Sequence, residues 1–233
     1  MFKTRSCLIT GAAGNLGRAV AGKFSSEGAT LVLLGRSVEQ LRAAFPSADA
    51  RTLLVAADLL DSASVEAAVK SAAKHCGRID ILCNLAGGFR MGPPVHETPD
   101  ATWDLMLGLN ARSVVNTARA VVPLMLAAGY GKIVNVAATA GLAGKENMAA
   151  YSAAKAAVMR LTESMSAELR DKGINVNCVL PSIIDTPENR AGMPAADPRR
   201  WVAPAALADI IAFLASDAAR AIHGASIPVS GLV

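Results

Sequence analysis

The stretch that decides the fold is Thr10-Gly11-Ala12-Ala13-Gly14-Asn15-Leu16-Gly17. It follows the apolar run Cys7-Leu8-Ile9 and opens a stretch with helical spacing. Glycines at such a turn let the backbone bend sharply and approach a ligand closely, and the helix N-terminus then offers free N–H groups to a phosphate. An ordinary strand-to-helix turn could carry the same glycines. The strand before and the helix after nevertheless favour a dinucleotide-binding turn.

The rest of the chain continues this alternation of strand and helix. Predicted strands lie at residues 6–10, 30–34, 52–56, 79–84, 132–138, 175–180 and 226–229, and predicted helices at 15–27, 38–45, 62–76, 102–128, 149–171 and 203–216. The strands are nearly continuous apolar runs, which is typical of a parallel sheet covered on both faces. The pattern predicts an α/β fold: a doubly wound, Rossmann-like parallel sheet in three layers, forming a single domain over residues 1–233. Residues 181–202 show no periodicity, and we expect residues 187–202 to form a substrate lid.

The composition excludes several classes of protein. The chain has 233 residues, 52% of them hydrophobic and 18% charged, with a net charge of +4, so it is too apolar for a disordered protein. Its basic residues are scattered, which argues against a nucleic-acid partner. No apolar run reaches the roughly 18 residues of a membrane helix, and no export signal precedes the first strand. No histidine lies near another, which predicts no metal site. The four cysteines stand far apart in apolar surroundings, which is typical of core residues in a reducing compartment and favours a cytoplasmic location.

The end of the second predicted strand bears on the choice of cofactor. It reads Leu34-Gly35-Arg36-Ser37, with no acidic residue to bind the ribose hydroxyls of NAD. The planar guanidinium of Arg36 can pair with a 2′-phosphate, so NADP(H) is favoured over NAD(H). The alternative is that Arg36 is a solvated loop residue.

Further motifs, in order and at family spacing, resemble those of the short-chain dehydrogenase/reductase family over essentially the whole chain. Asn84-Leu85-Ala86-Gly87 resembles the family's Asn-Asn-Ala-Gly, and Tyr151-Ser152-Ala153-Ala154-Lys155 matches Tyr-x-x-x-Lys. The stretch from Pro181 to Thr186 is similar to Pro-Gly-x-x-x-Thr, with Ser182 in place of the glycine. Asn110 matches the family's catalytic asparagine.

The resemblance implies a set of site residues. Tyr151, Lys155 and Asn110 would be catalytic. The cofactor would be bound by Gly11, Ala13, Gly14, Asn15, Leu16, Gly17, Arg36, Ser37, Asp58, Leu59, Asn84, Ala86, Gly87, Tyr151, Lys155, Pro181, Ile184 and Thr186.

The spacing of Tyr151 and Lys155 also has a physical meaning of its own. Residues four apart lie on one face of a helix, so the lysine charge is expected to lower the pKa of the phenol and make Tyr151 a usable general acid. A surface tyrosine beside a solvated lysine is the alternative. For the pocket that receives the substrate, we expect contributions from Gly88, Phe89, Met148, Met193 and Trp201.

The sequence departs from the family pattern at two informative positions. Asn15 stands where the middle glycine of the turn is usual. We expect the turn to keep its conformation, because asparagine tolerates left-handed backbone. The family's catalytic serine lies thirteen residues before the tyrosine, and here that position is Ala138. Thr139 would need a local bulge to replace it, since adjacent strand residues point to opposite faces. The dihydropteridine reductase branch also carries alanine there, and its lid resembles the stretch from Leu180 to Asp197.

These features predict an NADP(H)-dependent oxidoreductase. It would transfer hydride between the nicotinamide and a carbonyl or quinonoid small molecule, including a pterin-like one. Quinonoid rings suit an Ala138 site because they accept hydride without a polarising hydroxyl. The alternative is a non-catalytic, dinucleotide-binding redox sensor. The resemblance also implies a homodimer or homotetramer that pairs the helices near residues 102–128 and 149–171.

Overall fold

A computed structural model describes all residues, 1–233, and shows one parallel sheet of seven strands in the order β3-β2-β1-β4-β5-β6-β7. The strands are β1 (Ser6–Thr10), β2 (Thr30–Gly35), β3 (Thr52–Ala56), β4 (Ile81–Asn84), β5 (Gly131–Val136), β6 (Ile174–Pro181) and β7 (Ser226–Val229). The chain reverses its direction across the sheet between β1 and β4, and in such sheets ligands bind at the carboxyl ends of the strands at that point. The predicted fold class is confirmed.

Helices cover both faces of the sheet. They are α1 (Asn15–Ser26), α2 (Val38–Ala44), α3 (Ser62–Cys76), α4 (Asp100–Leu107), α5 (Ser113–Ala128), α6 (Ala149–Leu169), α7 (Pro187–Gly192) and α8 (Pro204–Leu214). The helices α1 and α8 pack together over one apolar core, while α3 and α5 cover a second core on the other face. Two separate cores with a sheet between them account for the apolar character of the strands on both faces.

The predicted helix 102–128 is interrupted in the structure. A π-helical turn, Gly108–Arg112, separates α4 from α5. Within it, the side-chain amide of Asn110 donates to the backbone oxygens of Met106 and of Gly88, at 2.9 and 3.0 Å. Because the second bond ties the turn to the segment after β4, the irregular turn fixes that segment. Single-turn π-bulges are frequent at functional sites.

The segment after β6 is not the featureless loop that its sequence suggested. Thr186 begins α7 by accepting a hydrogen bond at its side-chain oxygen from the Asn189 N–H, at 3.2 Å. Asp185 and Arg190 form a two-bond ion pair within the segment, at 2.6 and 2.7 Å. Short-range polar contacts therefore order this stretch without an apolar periodicity that sequence reasoning could detect.

No helix is both long enough and apolar enough to span a membrane. No group of three or more His, Cys, Asp or Glu side chains is placed to hold a metal ion.

Candidate active site

A cavity of about 1130 Å³ opens at the carboxyl ends of β1, β2 and β4. Its volume exceeds the roughly 300–1,000 Å³ of ordinary small-molecule sites, which suits an extended ligand. Many of the residues predicted to bind the cofactor line it: Gly11, Ala13, Gly14, Asn15, Leu16, Gly17, Arg36, Asp58, Leu59, Ala86, Gly87, Ile184 and Thr186.

The glycine turn forms one wall of this cavity. Gly11 has a φ of +64°, and a Cβ atom there would stand 2.9 Å from the Cα atom of Ala86. A Cβ atom at Gly17 would collide with the backbone oxygens of Gly11 and Ala12. Both positions therefore require glycine. Asn15 does not have the left-handed backbone that we expected, because it is simply the first residue of α1.

Five residues predicted to bind the cofactor do not line the cavity: Ser37, Asn84, Tyr151, Lys155 and Pro181. Asn84 is 3% exposed and bonds to Asn135 at 2.9 Å and Thr117 at 2.8 Å. Ser37 caps α2, accepting from the Gln40 N–H. Pro181 is buried at the end of β6. The motifs that predicted a cofactor contact for Asn84, Ser37 and Pro181 did not indicate that these residues bond or pack within the protein.

Thr10 is a positioning residue that the sequence analysis missed. Its hydroxyl oxygen accepts hydrogen bonds of 3.1 Å from the backbone N–H groups of both Leu85 and Ala86. These bonds tie the end of β1 to the turn after β4, where three of the cavity-lining residues lie. The only sign in the sequence that Thr10 positions the site was its place directly before the first glycine of the turn.

The far end of the cavity, beside β2, presents an unpaired positive charge. Arg36 is exposed there and makes no ion pair or side-chain hydrogen bond within the chain. Asp58 lies nearby, with a carboxylate oxygen that accepts from the Leu60 N–H at 2.9 Å. The arginine is thus free to meet an anionic group of a ligand.

Lys155 lies directly behind Gly87, one of the residues that line the cavity. A Cβ atom at Gly87 would stand 3.3 Å from Nζ of Lys155 and 2.7 Å from Oδ1 of Asn110, so this glycine keeps both polar side chains close to the cavity wall. The Lys155 Nζ donates to the backbone oxygen of Val136 at 2.9 Å. The side chain is only 5% exposed, and burial lowers the pKa of the ammonium to about 8.

Tyr151 lies one helical turn before Lys155, with its ring centre 5.8 Å from the lysine Nζ. The ring meets Phe89 edge to face, with centroids 4.9 Å apart. Burial raises the pKa of the Tyr151 phenol to about 12. The expected lowering of this pKa is therefore wrong for the structure, because the lysine bonds to Val136 and burial of the phenol outweighs the nearby charge.

Asn110 is 1% exposed and its side chain is fully engaged with backbone groups. Besides its two donated bonds, its Oδ1 accepts from the Gly88 N–H at 3.2 Å. The Asn110 side chain therefore fixes the backbone at Gly88, after β4.

Ala138 occupies the serine position and is buried. The strand β5 already ends at Val136, and a 3₁₀ turn, Thr139–Gly141, follows Ala138 and packs on α6. Because the strand has ended, strict alternation does not apply to Thr139. The Thr139 side chain is partly exposed and forms no hydrogen bond within the chain.

The five residues expected in the substrate pocket divide into two groups. Phe89 is 57% exposed beside Tyr151, Gly88 lies next to it, and Met148 directly precedes α6. Met193, at the end of α7, is partly exposed. Trp201 is only 6% exposed, and its backbone lies against Gly231 near the C-terminus. None of the five residues lines the large cavity.

Comparison with known proteins agrees with this geometry. A family model described as short chain dehydrogenase matches residues 5–195. The cis-4-hydroxycyclohexanecarboxylate dehydrogenase of Sinomonas cyclohexanicum is 36% identical over 240 residues, covering 99% of this chain and 96% of that protein. The crystal structure of NAD⁺-bound xylitol dehydrogenase matches with a TM-score of 0.91 at 28% identity, covering 99% of each chain. The structure of ElxO with NADP bound matches with a TM-score of 0.91 at 25% identity, covering 97% of each chain.

The chain belongs to the short-chain dehydrogenase/reductase family. It is a pyridine-nucleotide-dependent oxidoreductase of that family, so the predicted enzyme class is confirmed. The two solved relatives hold different dinucleotides, one NAD⁺ and the other NADP.

Proposed function

We propose that this protein is an NADP(H)-dependent reductase that acts on an activated carbonyl or quinonoid small molecule. The observation that carries the proposal is the position of Lys155, whose ammonium lies against Gly87 at the wall of the cavity and on one helix with Tyr151. A cation therefore lies directly behind a residue that lines the cavity, with the Tyr151 ring 5.8 Å from it, and Arg36 lines the same cavity beside β2.

The residues of the cavity fit a dinucleotide phosphate. Gly11 and Gly17 let the turn pack closely on Ala86 and on its own backbone, and the unpaired N–H groups that begin α1 suit a pyrophosphate. No acidic side chain follows β2 to bind free ribose hydroxyls, whereas Arg36 is free to form a charge-assisted pair with a 2′-phosphate. These features support NADP(H) over NAD(H).

Beside Gly87 at the cavity wall, Tyr151 would donate the proton and Lys155 would support it. The nicotinamide supplies the hydride when it is bound. Because its pKa is raised to about 12, Tyr151 stays protonated at neutral pH and can donate a proton to the reduced substrate oxygen or nitrogen. Lys155 is largely charged at the same pH, since its pKa is about 8, and it would stabilise the phenolate that the transfer leaves.

The surroundings of Tyr151 support an electron-poor ring as substrate. Ala138 offers no hydroxyl to polarise a carbonyl, so a substrate that accepts hydride readily is favoured. Phe89 presents an exposed aromatic face next to the phenol and is suited to pack on a flat ring. A quinone or a quinonoid pterin has both properties. Residues 187–202, which include α7, would cover the substrate as a lid.

We also propose a homodimer or homotetramer that pairs the helices near residues 102–128 and 149–171. Leu107, Leu124 and Leu126, on α4 and α5, are exposed by 37–40%, and such pairing would bury them.

Titration calorimetry with NADPH and NADH tests the cofactor assignment. We expect NADPH to bind at least about tenfold more tightly, the minimum contribution of one charge-assisted phosphate contact. Tighter binding of NADH would contradict the assignment.

A further inference from the structure

A hydrogen bond joins two walls of the large cavity. The Nδ2 atom of Asn15, at the start of α1, donates to Oε2 of Glu188 in α7, at 2.8 Å. Arg18 donates in turn to Oδ1 of Asn15, at 2.7 Å. The amide of Asn15 is thus oriented by the arginine on one side and held by the carboxylate on the other.

The bond between Asn15 and Glu188 connects two segments that line the cavity. Asn15 and Arg18 line the cavity from the glycine turn, and Thr186 lines it from the segment after β6. Glu188 follows Thr186 by two residues, in the first turn of α7. The bond between Asn15 and Glu188 therefore fastens the beginning of the lid segment to the wall that would hold the pyrophosphate.

The carboxylate is well suited to this contact. Hydrogen bonds from its own backbone N–H and then from the Thr186 side chain lower the pKa of Glu188, with a further contribution from Asn15. It is therefore ionised at neutral pH, and bonds to ionised acceptors are stronger than neutral ones. A glycine at position 15 has no side chain and could not make this contact.

We propose that Asn15 and Glu188 are positioning residues that hold α7 against the glycine turn and thereby slow the release of the dinucleotide. The inference rests on the proposed binding of NADP(H) in this cavity. A bound dinucleotide would leave only after the bond between the two walls had broken, so the pair controls the dissociation rate of the cofactor.

The test is a stopped-flow measurement of NADPH release, in which excess NADP⁺ displaces NADPH from the full-length protein and the fluorescence is followed. Glu188→Ala and Asn15→Ala should each speed release by about three- to tenfold, the worth of one exposed charge-assisted hydrogen bond. The double variant should be no faster than the faster single variant, since both remove one contact. Glu188→Gln keeps a neutral acceptor, so its release rate should lie between those of wild type and Glu188→Ala.

Arg190→Ala is the matched control, because it breaks the ion pair with Asp185 inside the same segment and leaves the glycine turn untouched. Its release rate should match wild type. Unchanged release in Glu188→Ala, additive effects in the double variant, or an equal increase in Arg190→Ala would each overturn the inference. A wild-type protein that fails to bind NADPH would instead contradict the proposed function itself.

Discussion

The ammonium of Lys155 bonds to the backbone oxygen of Val136, 2.9 Å away, where β5 ends. This contact holds a buried charge beside the cavity. Burial lowers the pKa of Lys155 to about 8 and raises that of Tyr151 to about 12. At neutral pH the two side chains are therefore a cation and a neutral phenol, which is the protonation state that a proton donor in a reductase requires.

The lowered pKa of Lys155 predicts how stability depends on pH. The unfolded chain keeps this proton up to about pH 10.5, while the folded protein loses it near pH 8. Between these values the unfolded state binds more protons, so the free energy of unfolding should rise with pH. Relative to Lys155→Met, wild type should gain on the order of 1–3 kcal/mol from pH 8 to 10 in urea unfolding. A difference that is independent of pH would contradict the assigned burial effect.

Arg36→Ala should weaken NADPH binding by about tenfold or more and change NADH binding little, because only NADPH carries the 2′-phosphate. Arg42→Ala is the control. It removes the same charge from α2, but Arg42 is exposed and does not line the cavity. Isothermal titration at one fixed salt concentration measures both. Equal losses in the two variants would show a general electrostatic effect instead of a contact. Introducing an acid at Gly35 is a poorer test, since its Cβ atom would press on Leu41 at 3.0 Å.

Tyr151→Phe should lower kcat by about 10²–10⁴-fold, the usual contribution of a general acid. Binding of NADPH should remain nearly intact. Tyr130→Phe is the matched control, because the other tyrosine of the chain bonds to Asp217 and lies outside α6, away from the pair with Lys155. Steady-state kinetics with an activated acceptor, together with NADPH titration, measures both effects. A Tyr151→Phe enzyme with the wild-type kcat would remove this residue from the mechanism.

Ala138→Ser should give a selective gain in activity. A preorganised hydroxyl that polarises a carbonyl is typically worth about 10²–10³ in rate, so reduction of simple ketones should rise by at least about tenfold. Activated substrates should change little, and the extended backbone at position 138 accepts any residue. Ala137→Ser places the same hydroxyl at the neighbouring buried position and should give no gain. Efficient ketone reduction by wild type would indicate that Thr139 already supplies the hydroxyl.

The sequence predicted the strands well because each is a short apolar run between clear breaks. Its errors arose where a side chain overrides a pattern. Asn110 forms a π-helical turn inside an apparently continuous helix, and polar contacts of Thr186 and Asp185 order α7 without any apolar periodicity. These contacts are short-range, but they depend on individual polar side chains and leave no sign in an apolar pattern.

The site was only partly predictable for the same reason. Motif spacing located Tyr151 and Lys155 on one helix. It did not show that the lysine donates to a backbone oxygen of β5, or that burial raises the pKa of the phenol. Asn84 matched a motif yet lies in a buried network with Asn135. Thr10 had no motif role of its own and proved to fix the turn after β4.

The most direct test of the proposed function is the steady-state kcat/KM of wild type for a quinone, measured with NADPH and with NADH at the same ionic strength. We expect turnover with both and a preference for NADPH of at least about tenfold, because only NADPH carries a 2′-phosphate that can pair with Arg36. Turnover that favours NADH, or no oxidation of NADPH by quinones, pterins or activated ketones, would contradict it.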